Sequence, residues 1–335
     1  MSEDYDTMQS AVVEDRCGAR AGVSSVVAVT SVDRVSGAHP RETVAIVGPG
    51  AIGTTIAAAL HEAGRTPLLC GRSRRDRLEL IAGDDVIVVP GPVNTHPETS
   101  AAAVDVVFLA VKATQLEAAA SSWLPALCRP GTVVCVLENG VEQTSMVAPH
   151  LPEGTEAIAS VVWFPAQARA DGTVLLRGEP RLSVPVSAAS QRVVEALGGT
   201  RCRAEIAPDF RTLAWRKLLQ NAAAGWMALT GRRAGMFTRK DIAELTLSYL
   251  RECLAVARAE GAELDDTVPA EILALFQGFP PDMSTSILTD REAGRPLEWD
   301  IRNGVISRLG RRHDIPTPIS DLVVALLAAS SDGPG

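Results

Sequence analysis

Thr43-Val44-Ala45-Ile46-Val47-Gly48-Pro49-Gly50-Ala51-Ile52-Gly53 is the stretch that decides the fold of this chain. It opens with a short apolar run, as expected of a strand buried on both faces of a parallel sheet. A GxGxxG pattern follows and opens an Ala-rich helical segment over residues 51–63. Glycines placed in this way permit a tight turn and a close backbone approach to a pyrophosphate, which also meets the free N–H groups of the helix. A dinucleotide site is therefore predicted at Gly48, Gly50, Ala51, Ile52 and Gly53. The alternative, a glycine-rich turn without a ligand, has less support because both strand and helix flank the glycines.

Strands and helices alternate on the far side of this motif. Further strands are predicted at 67–70, 86–89, 104–111 and 131–137, with a helix over 115–127. This alternation is typical of a parallel, doubly wound sheet, which additional strands at 157–164, 172–176 and 181–184 would complete through antiparallel pairs. From residue 209 onward apolar residues recur at helical spacing. The predicted fold class is an α/β Rossmann dinucleotide-binding domain followed by an all-α C-terminal domain.

Composition restricts the function further. The chain has 335 residues, a net charge of -8 and 46% hydrophobic residues. This acidic balance argues against nucleic-acid binding, which needs clustered lysine and arginine. No apolar run reaches the roughly 20 residues that span a bilayer, so we expect no membrane partner and a cytoplasmic protein. The scattered cysteines and histidines show no metal-type spacing, and no metal site is predicted.

The residues after the second predicted strand indicate which dinucleotide is bound. An NAD site usually has an acidic residue there, to hold the ribose hydroxyls. This chain has Gly71-Arg72-Ser73-Arg74-Arg75 instead. Guanidinium groups suit a 2′-phosphate, so NADPH/NADP+ is the predicted cofactor, with Arg72 as a contact. A solvated surface turn remains the alternative for the neighbouring arginines.

The predicted domains are a disordered extension over residues 1–41, an NADPH-binding Rossmann domain over 42–207 and a helical substrate and catalytic domain over 208–330.

Lysine is rare, and two of the three lysines occupy suggestive positions. Lys112 follows the strand at 104–111, at the edge of the sheet where ligands bind in open α/β folds. Lys217 is predicted near a helix start, four residues before Asn221 and on the same helix face. Since lysine can release a proton near neutrality and arginine cannot, a retained lysine is a candidate acid.

The chain resembles the ketopantoate reductase (2-dehydropantoate 2-reductase) family over residues 43–325. The resemblance rests on motifs that occur in the family's order. They are the glycine motif, Ala110-Val111-Lys112, Glu138-Asn139-Gly140-Val141, Trp215-Arg216-Lys217-Leu218 with Asn221, Ser286 with Asp290, Gly294-Arg295-Pro296-Leu297-Glu298-Trp299-Asp300, Arg302-Asn303-Gly304-Val305 and Ile315-Pro316-Thr317-Pro318.

The resemblance implies NADPH-dependent reduction of 2-dehydropantoate to pantoate, a step towards pantothenate. Lys217 would be the general acid, and Glu298 would orient it or accept a substrate hydroxyl. Asn139, Asn221 and Ser286 would bind the substrate, with Ser286 at its carboxylate. Lys112, Asn139 and Glu298 would also contribute to the cofactor site.

Three departures from the family pattern leave the substrate open. Gly225 and Gly235 stand near positions where the family carries asparagine, and Glu138 replaces the usual glutamine. The alternatives are a reductase of another small 2-oxo acid in specialised metabolism, a non-catalytic NADPH-binding sensor and an imine or opine-type reductase. The sequence is compatible with a homodimer but does not determine the oligomeric state.

Overall fold

The structure, a computed structural model, describes residues 42–99 and 103–333. The extension predicted over residues 1–41 lies outside them. The strands, numbered along the chain, are β1 (Val44–Val47), β2 (Leu68–Cys70), β3 (Arg77–Ala82), β4 (Asp85–Pro90), β5 (Val106–Leu109), β6 (Val133–Val136), β7 (Glu156–Ala159), β8 (Val161–Val162), β9 (Ala166–Ala168), β10 (Val174–Leu176), β11 (Arg181–Val184) and β12 (Arg203–Ile206).

The helices are numbered in the same way. They are α1 (Ala51–Glu62), α2 (Leu116–Leu127), α3 (Gln143–Val147), α4 (Ala188–Leu197), α5 (Phe210–Ala223), α6 (Gly225–Thr230), α7 (Lys240–Ala259), α8 (Val268–Gly278), α9 (Ser286–Glu292), α10 (Val305–Arg312) and α11 (Pro318–Ser331). A π-helical turn, Asp300–Gly304, leads directly into α10.

A parallel sheet in the order β2-β1-β5-β6-β7 forms the centre of the first half. Its central strands are buried on both faces because successive side chains point in opposite directions. Ile46 and Phe108 enter the core on one face, whereas Val47 and Leu109 enter the core on the other. The continuous apolar runs of the sequence therefore have a direct structural cause.

The predicted sheet differs from the observed one in its later strands. The segment at 86–89 does not extend the parallel sheet; its strand β4 pairs antiparallel with β3, which the sequence reading missed. β3 and β4 belong to a separate sheet, β4-β3-β10-β9, and a third sheet has the order β12-β11-β8. Of the segments expected to complete the main sheet, only β7 joins it, and it pairs in parallel. α1 packs against the β4-β3-β10-β9 sheet, so that sheet covers the side of the helix away from the main sheet.

The second half is helical from Phe210 onward. The apolar faces of α5, α7, α8 and α11 meet in one core that contains Leu219, Tyr249 and Leu327. The two halves meet at the carboxyl ends of β5 and β6, where Lys112 contacts Asp290 of α9. An α/β Rossmann half followed by a helical half confirms the predicted fold class. In the part of the chain that the structure describes, no helix is long and apolar enough to cross a membrane.

Candidate active site

The glycine turn between β1 and α1 has an open cradle at its centre. Gly48 has a φ of +90°, and a Cβ on Gly53 would lie 2.3 Å from the Gly48 carbonyl oxygen, so both positions require glycine. A Cβ on Gly50 would meet nothing within 4 Å. No side chain caps α1, and no acidic residue occupies its first turn. The N–H groups of Ala51, Ile52 and Gly53 therefore form an anion-binding helix terminus, as a dinucleotide pyrophosphate requires.

The arginines after β2 lie beside this turn. Arg72 is exposed at the carboxyl end of β2. Arg75 reaches back to the turn and donates from Nη1 to the Pro49 carbonyl oxygen at 3.3 Å. Arg74 lies 3.7 Å from Asp76 in an exposed pair. The turn and the Arg72 guanidinium together fit a dinucleotide with a phosphate on its ribose.

Lys112 connects the sheet to the helical half. It follows β5, and its Nζ lies 2.9 Å from Asp290 Oδ2 and 3.6 Å from Glu298 Oε2. The next residue, Ala113, donates its backbone N–H to Glu298 Oε1 at 3.1 Å. Arg295 supplies a second cation to Asp290 at 2.9 Å. Both buried carboxylates are thus paired across the boundary between the halves.

A chain of polar side chains continues from Glu298 into the helical half. Asn139 Nδ2 lies 3.5 Å from Glu298 Oε2, and its Oδ1 accepts a hydrogen bond from Asn221 Nδ2 at 3.1 Å. Arg302 Nη2 donates to Asn221 Oδ1 at 3.1 Å and to Ser286 Oγ at 3.2 Å. The structure therefore brings the predicted substrate residues Asn139, Asn221 and Ser286 into one connected group.

Lys217 faces a narrow cleft that Asn139 and Asn221 also line. Its Nζ lies 4.9 Å from the centre of the Trp163 ring, within range of a cation–π interaction. In the described chain it makes no ion pair. Burial, and next the charge of Arg302, lower the pKa of the Lys217 ammonium to about 8. A lysine with this pKa can donate a proton near neutral pH.

Glu138 is the other unusual titratable group in the cleft. It is 5% exposed, and neither carboxyl oxygen has a hydrogen-bond partner in the described chain. Burial and the nearby Glu298 charge raise the pKa of its carboxyl to about 8. Glu138 is therefore mostly protonated and uncharged at neutral pH.

The position of Lys217 differs from the prediction. Lys217 does not lie near a helix start: Asp209 caps α5 by accepting the Thr212 N–H at 3.1 Å, which places Lys217 two turns inside the helix. Glu298 contacts Lys112, Ala113 and Asn139 and forms no hydrogen bond or ion pair with Lys217 in the described chain, and its role at Lys217 or at a substrate hydroxyl stays a prediction. The shared helix face of Lys217 and Asn221 is observed.

Sequence reasoning assigned no role to Arg302 or Trp163. Arg302 is 3% exposed within the π-helical turn, an extreme burial for an arginine. Its signals in the sequence were its place in the motif Arg302-Asn303-Gly304-Val305 and its position four residues after Glu298. Trp163, which follows β8, donates from Nε1 to Ser183 Oγ at 2.9 Å and presents its ring to Lys217. No motif marked it.

The two glycines at positions where asparagine was expected are closely packed against neighbouring residues. A Cβ on Gly225 would lie 2.9 Å from Asn303 Nδ2, whose amide bonds the Ala222 carbonyl and the Tyr249 hydroxyl. A Cβ on Gly235 would lie 3.1 Å from Pro281. A side chain at either position would therefore require its neighbour to shift.

Comparison with known proteins places both halves in one family. The family described as "Ketopantoate reductase PanE/ApbA" matches residues 44–188, and its C-terminal counterpart matches residues 209–331. The 2-dehydropantoate 2-reductase of Mycobacterium tuberculosis is 55% identical over 87% of this chain and 99% of its own. That of Caulobacter vibrioides is 37% identical over 86% and 99%.

A solved structure agrees with these relatives. A dimeric ketopantoate reductase from Staphylococcus aureus superimposes with a TM-score of 0.77 at 26% identity, covering 88% of this chain and all of that one. The matches run through both halves and confirm the resemblance that the ordered motifs indicated. The chain belongs to the ketopantoate reductase family.

Proposed function

We propose that this protein reduces 2-dehydropantoate to pantoate with NADPH. The observation that carries the proposal is the position of Lys217, an ammonium of lowered pKa in a cleft beside Asn139 and Asn221. The names of the relatives support the substrate, because 2-dehydropantoate 2-reductases match nearly their whole length to this chain.

Lys217 serves as the general acid. A ketone that accepts a hydride at C2 develops negative charge on its oxygen, and an ammonium beside that oxygen stabilises the charge and then neutralises it. The Trp163 ring holds the Lys217 side chain from one side. With a pKa of about 8, Lys217 is charged before the reaction yet gives up its proton more readily than an ordinary lysine.

NADPH supplies the hydride when it is bound. The glycine turn and the first turn of α1 would hold its pyrophosphate, and Arg72 would bind its 2′-phosphate. Lys112 and Asn139 lie at the carboxyl ends of β5 and β6, so they border the space between cofactor and substrate. Glu298 fixes Lys112 and Asn139 from the helical side.

The two halves of the protein have different roles in this proposal. Residues 42–207 bind the cofactor, while residues 208–330 supply the acid and most substrate contacts. Asn221 and Ser286 bind the substrate, and Ser286 lies at its carboxylate.

The dimeric state of the S. aureus relative supports a homodimer, which light scattering of the purified protein tests. A cytoplasmic location is part of the same proposal, and cell fractionation tests it.

Spectrophotometric assay of NADPH oxidation tests the reaction. Purified protein is mixed with 2-dehydropantoate, with pyruvate, 2-oxobutyrate and 2-oxoisovalerate in parallel, and with NADH in place of NADPH as the cofactor control. We expect turnover of 2-dehydropantoate to exceed that of the other acids and NADPH to be preferred.

Two other results would contradict the proposal in different ways. Preference for another 2-oxo acid would favour the second candidate substrate class, for which the packed Gly225 and Gly235 are the structural reason. Tight NADPH binding without oxidation of NADPH by any acid would favour a sensor.

A further inference from the structure

We propose that Arg302 is the receptor for the substrate carboxylate, an inference that rests on the proposed reduction of a 2-oxo acid. The free Nη1 of the guanidinium would donate a charge-assisted hydrogen bond to the carboxylate, while Lys217 meets the oxygen of the neighbouring carbonyl.

The first reason is the hydrogen bonding of the Arg302 side chain. Nη2 is satisfied by Asn221 and Ser286, but the buried Nε and Nη1 have no partner in the described chain. An unpaired buried donor is costly, more so when it carries charge. Nε and Nη1 point in different directions, so a carboxylate oxygen placed at Nη1 would satisfy that donor through a charge-assisted hydrogen bond.

The second reason is the distribution of charge. The nearest carboxylates, Asp290 and Glu298, are held by Lys112 and Arg295, and Arg302 forms no ion pair within the described residues. Burial lowers the pKa of the Arg302 guanidinium, although these two carboxylates oppose the shift. Lys217 in the cleft and Arg302 behind Asn221 therefore carry positive charge without an ion pair in the described chain, and an anionic substrate would compensate it.

The third reason is position. Arg302 donates to Asn221, which lines the same cleft as Lys217, and the Arg302 charge is felt at the Lys217 ammonium. A 2-oxo acid has its carboxylate on the carbon next to the ketone, so its two recognition groups must lie close together. Arg302, which is one hydrogen bond from Asn221 at the cleft, and Lys217 in the cleft would each meet one of these groups.

This arrangement also accounts for the missing amides. Gly225 packs against Asn303, the residue after Arg302, and cannot offer a donor to the substrate. The cleft then depends on a charged anchor at one end of the substrate instead of additional amides along it. Selection by charge would discriminate strongly against neutral analogues, since they would leave the guanidinium buried and unpaired.

Equilibrium binding tests this inference without requiring turnover. Calorimetry measures binding of pantoate, and of its lactone, to the protein saturated with NADP+. The lactone carries the same carbon skeleton but has no carboxylate. The variants are Arg302→Met, Arg302→Lys and, as a control, Arg312→Met on the exposed side of α10.

We expect Arg302→Met to weaken pantoate binding about 100-fold, the loss of one charge-assisted hydrogen bond, and to change lactone binding less than about threefold. Arg302→Lys should recover part of the pantoate affinity, and Arg312→Met should resemble the wild type. An equal loss for pantoate and lactone in Arg302→Met, or no loss for either, would overturn the inference.

A pH profile supplies a readout that a purely structural role would not move. Removing the Arg302 charge should shift the alkaline limb of the wild-type activity to higher pH, because that charge helps to lower the pKa of Lys217. The outcomes remain distinct from those of the proposed function. If pantoate binding depends on Arg302 but NADPH is not oxidised, the proposed reaction is wrong and the role of Arg302 stands. If NADPH is oxidised but Arg302→Met leaves pantoate binding unchanged, the reaction stands and the role of Arg302 is wrong.

Discussion

Replacing Glu138 by glutamine should stabilise the folded protein at neutral pH, by an amount that grows as the pH rises. Glutamine has the size and shape of the protonated acid but never ionises. The wild-type carboxyl is 5% exposed, and neither of its oxygens has a partner in the described chain. Ionising it in place is therefore unfavourable.

The magnitude follows from the shift of the Glu138 pKa from 4.5 to about 8. Between these values the folded protein holds a proton that the unfolded chain has released, so the stability of the wild type falls as pH rises. Each pH unit changes the free energy of unfolding by about 1.4 kcal/mol. At pH 7 the wild type should have lost about 3 kcal/mol relative to pH 4.5, and Glu138→Gln avoids that loss.

Urea denaturation of the two proteins at a series of pH values measures the effect. The difference between variant and wild type should be near zero at pH 4.5 and increase until the folded-state pKa is passed. Glu153→Gln, which alters an exposed loop glutamate, is the matched control and should stay within about 0.5 kcal/mol of the wild type.

A difference that is constant across pH would refute the reasoning. It would mean that glutamine changes packing or hydrogen bonding at residue 138 and that the wild-type carboxyl ionises as it does in water. Lower stability of the variant at neutral pH would show that the ionised carboxylate has a stabilising partner.

Four further predictions concern the cofactor site and the acid. Lys217→Ala should lower kcat about 100- to 10,000-fold while leaving NADPH affinity, measured by fluorescence titration, unchanged; equal loss of both would contradict its role. Wild-type kcat should fall as pH rises through about 8, where the ammonium is lost, and a flat profile up to pH 10 would argue against Lys217 as the acid. Arg72→Ala should weaken NADPH binding about 10- to 100-fold and leave NADH binding unchanged. Equal weakening of both cofactors would contradict the role of Arg72 at the 2′-phosphate. Gly50→Ala should fold normally but bind NADPH poorly, because its Cβ would occupy the cradle. Gly53→Ala should instead lower the melting temperature, because its Cβ would meet the Gly48 carbonyl. Calorimetric melting and NADPH titration of both variants check this contrast.

The features that sequence alone predicted well are local ones. The turn from β1 into α1 depends on neighbouring residues, so its glycines could be assigned before the fold was known. The hairpin of β3 and β4 was missed although its signal is also local. Gly83 and Asp84 form a two-residue connection with a positive φ at Gly83, a common hairpin turn. β3 contains polar residues and is less apolar than the neighbouring predicted strands, so it was not recognised as a strand.

The features that sequence could not predict depend on distant contacts. Arg302 meets Asn221 across 81 residues and Ser286 across 16, and only the packing of α5, α9 and the π-helical turn brings them together. The contact of Glu298 with Lys112 has the same origin. It joins residues from distant parts of the chain and forms only where the two halves meet.

The contact of Lys112 and Ala113 with Glu298 implies thermodynamic linkage between the two ligands. One side of the contact belongs to the sheet that carries the cofactor turn, and the other belongs to the helical half. A ligand that changes the position of Glu298 from either side also changes the site on the other side. The factor by which cofactor alters substrate affinity must then equal the factor by which substrate alters cofactor affinity. Cofactor and substrate would then bind as one coupled system and not as two independent sites.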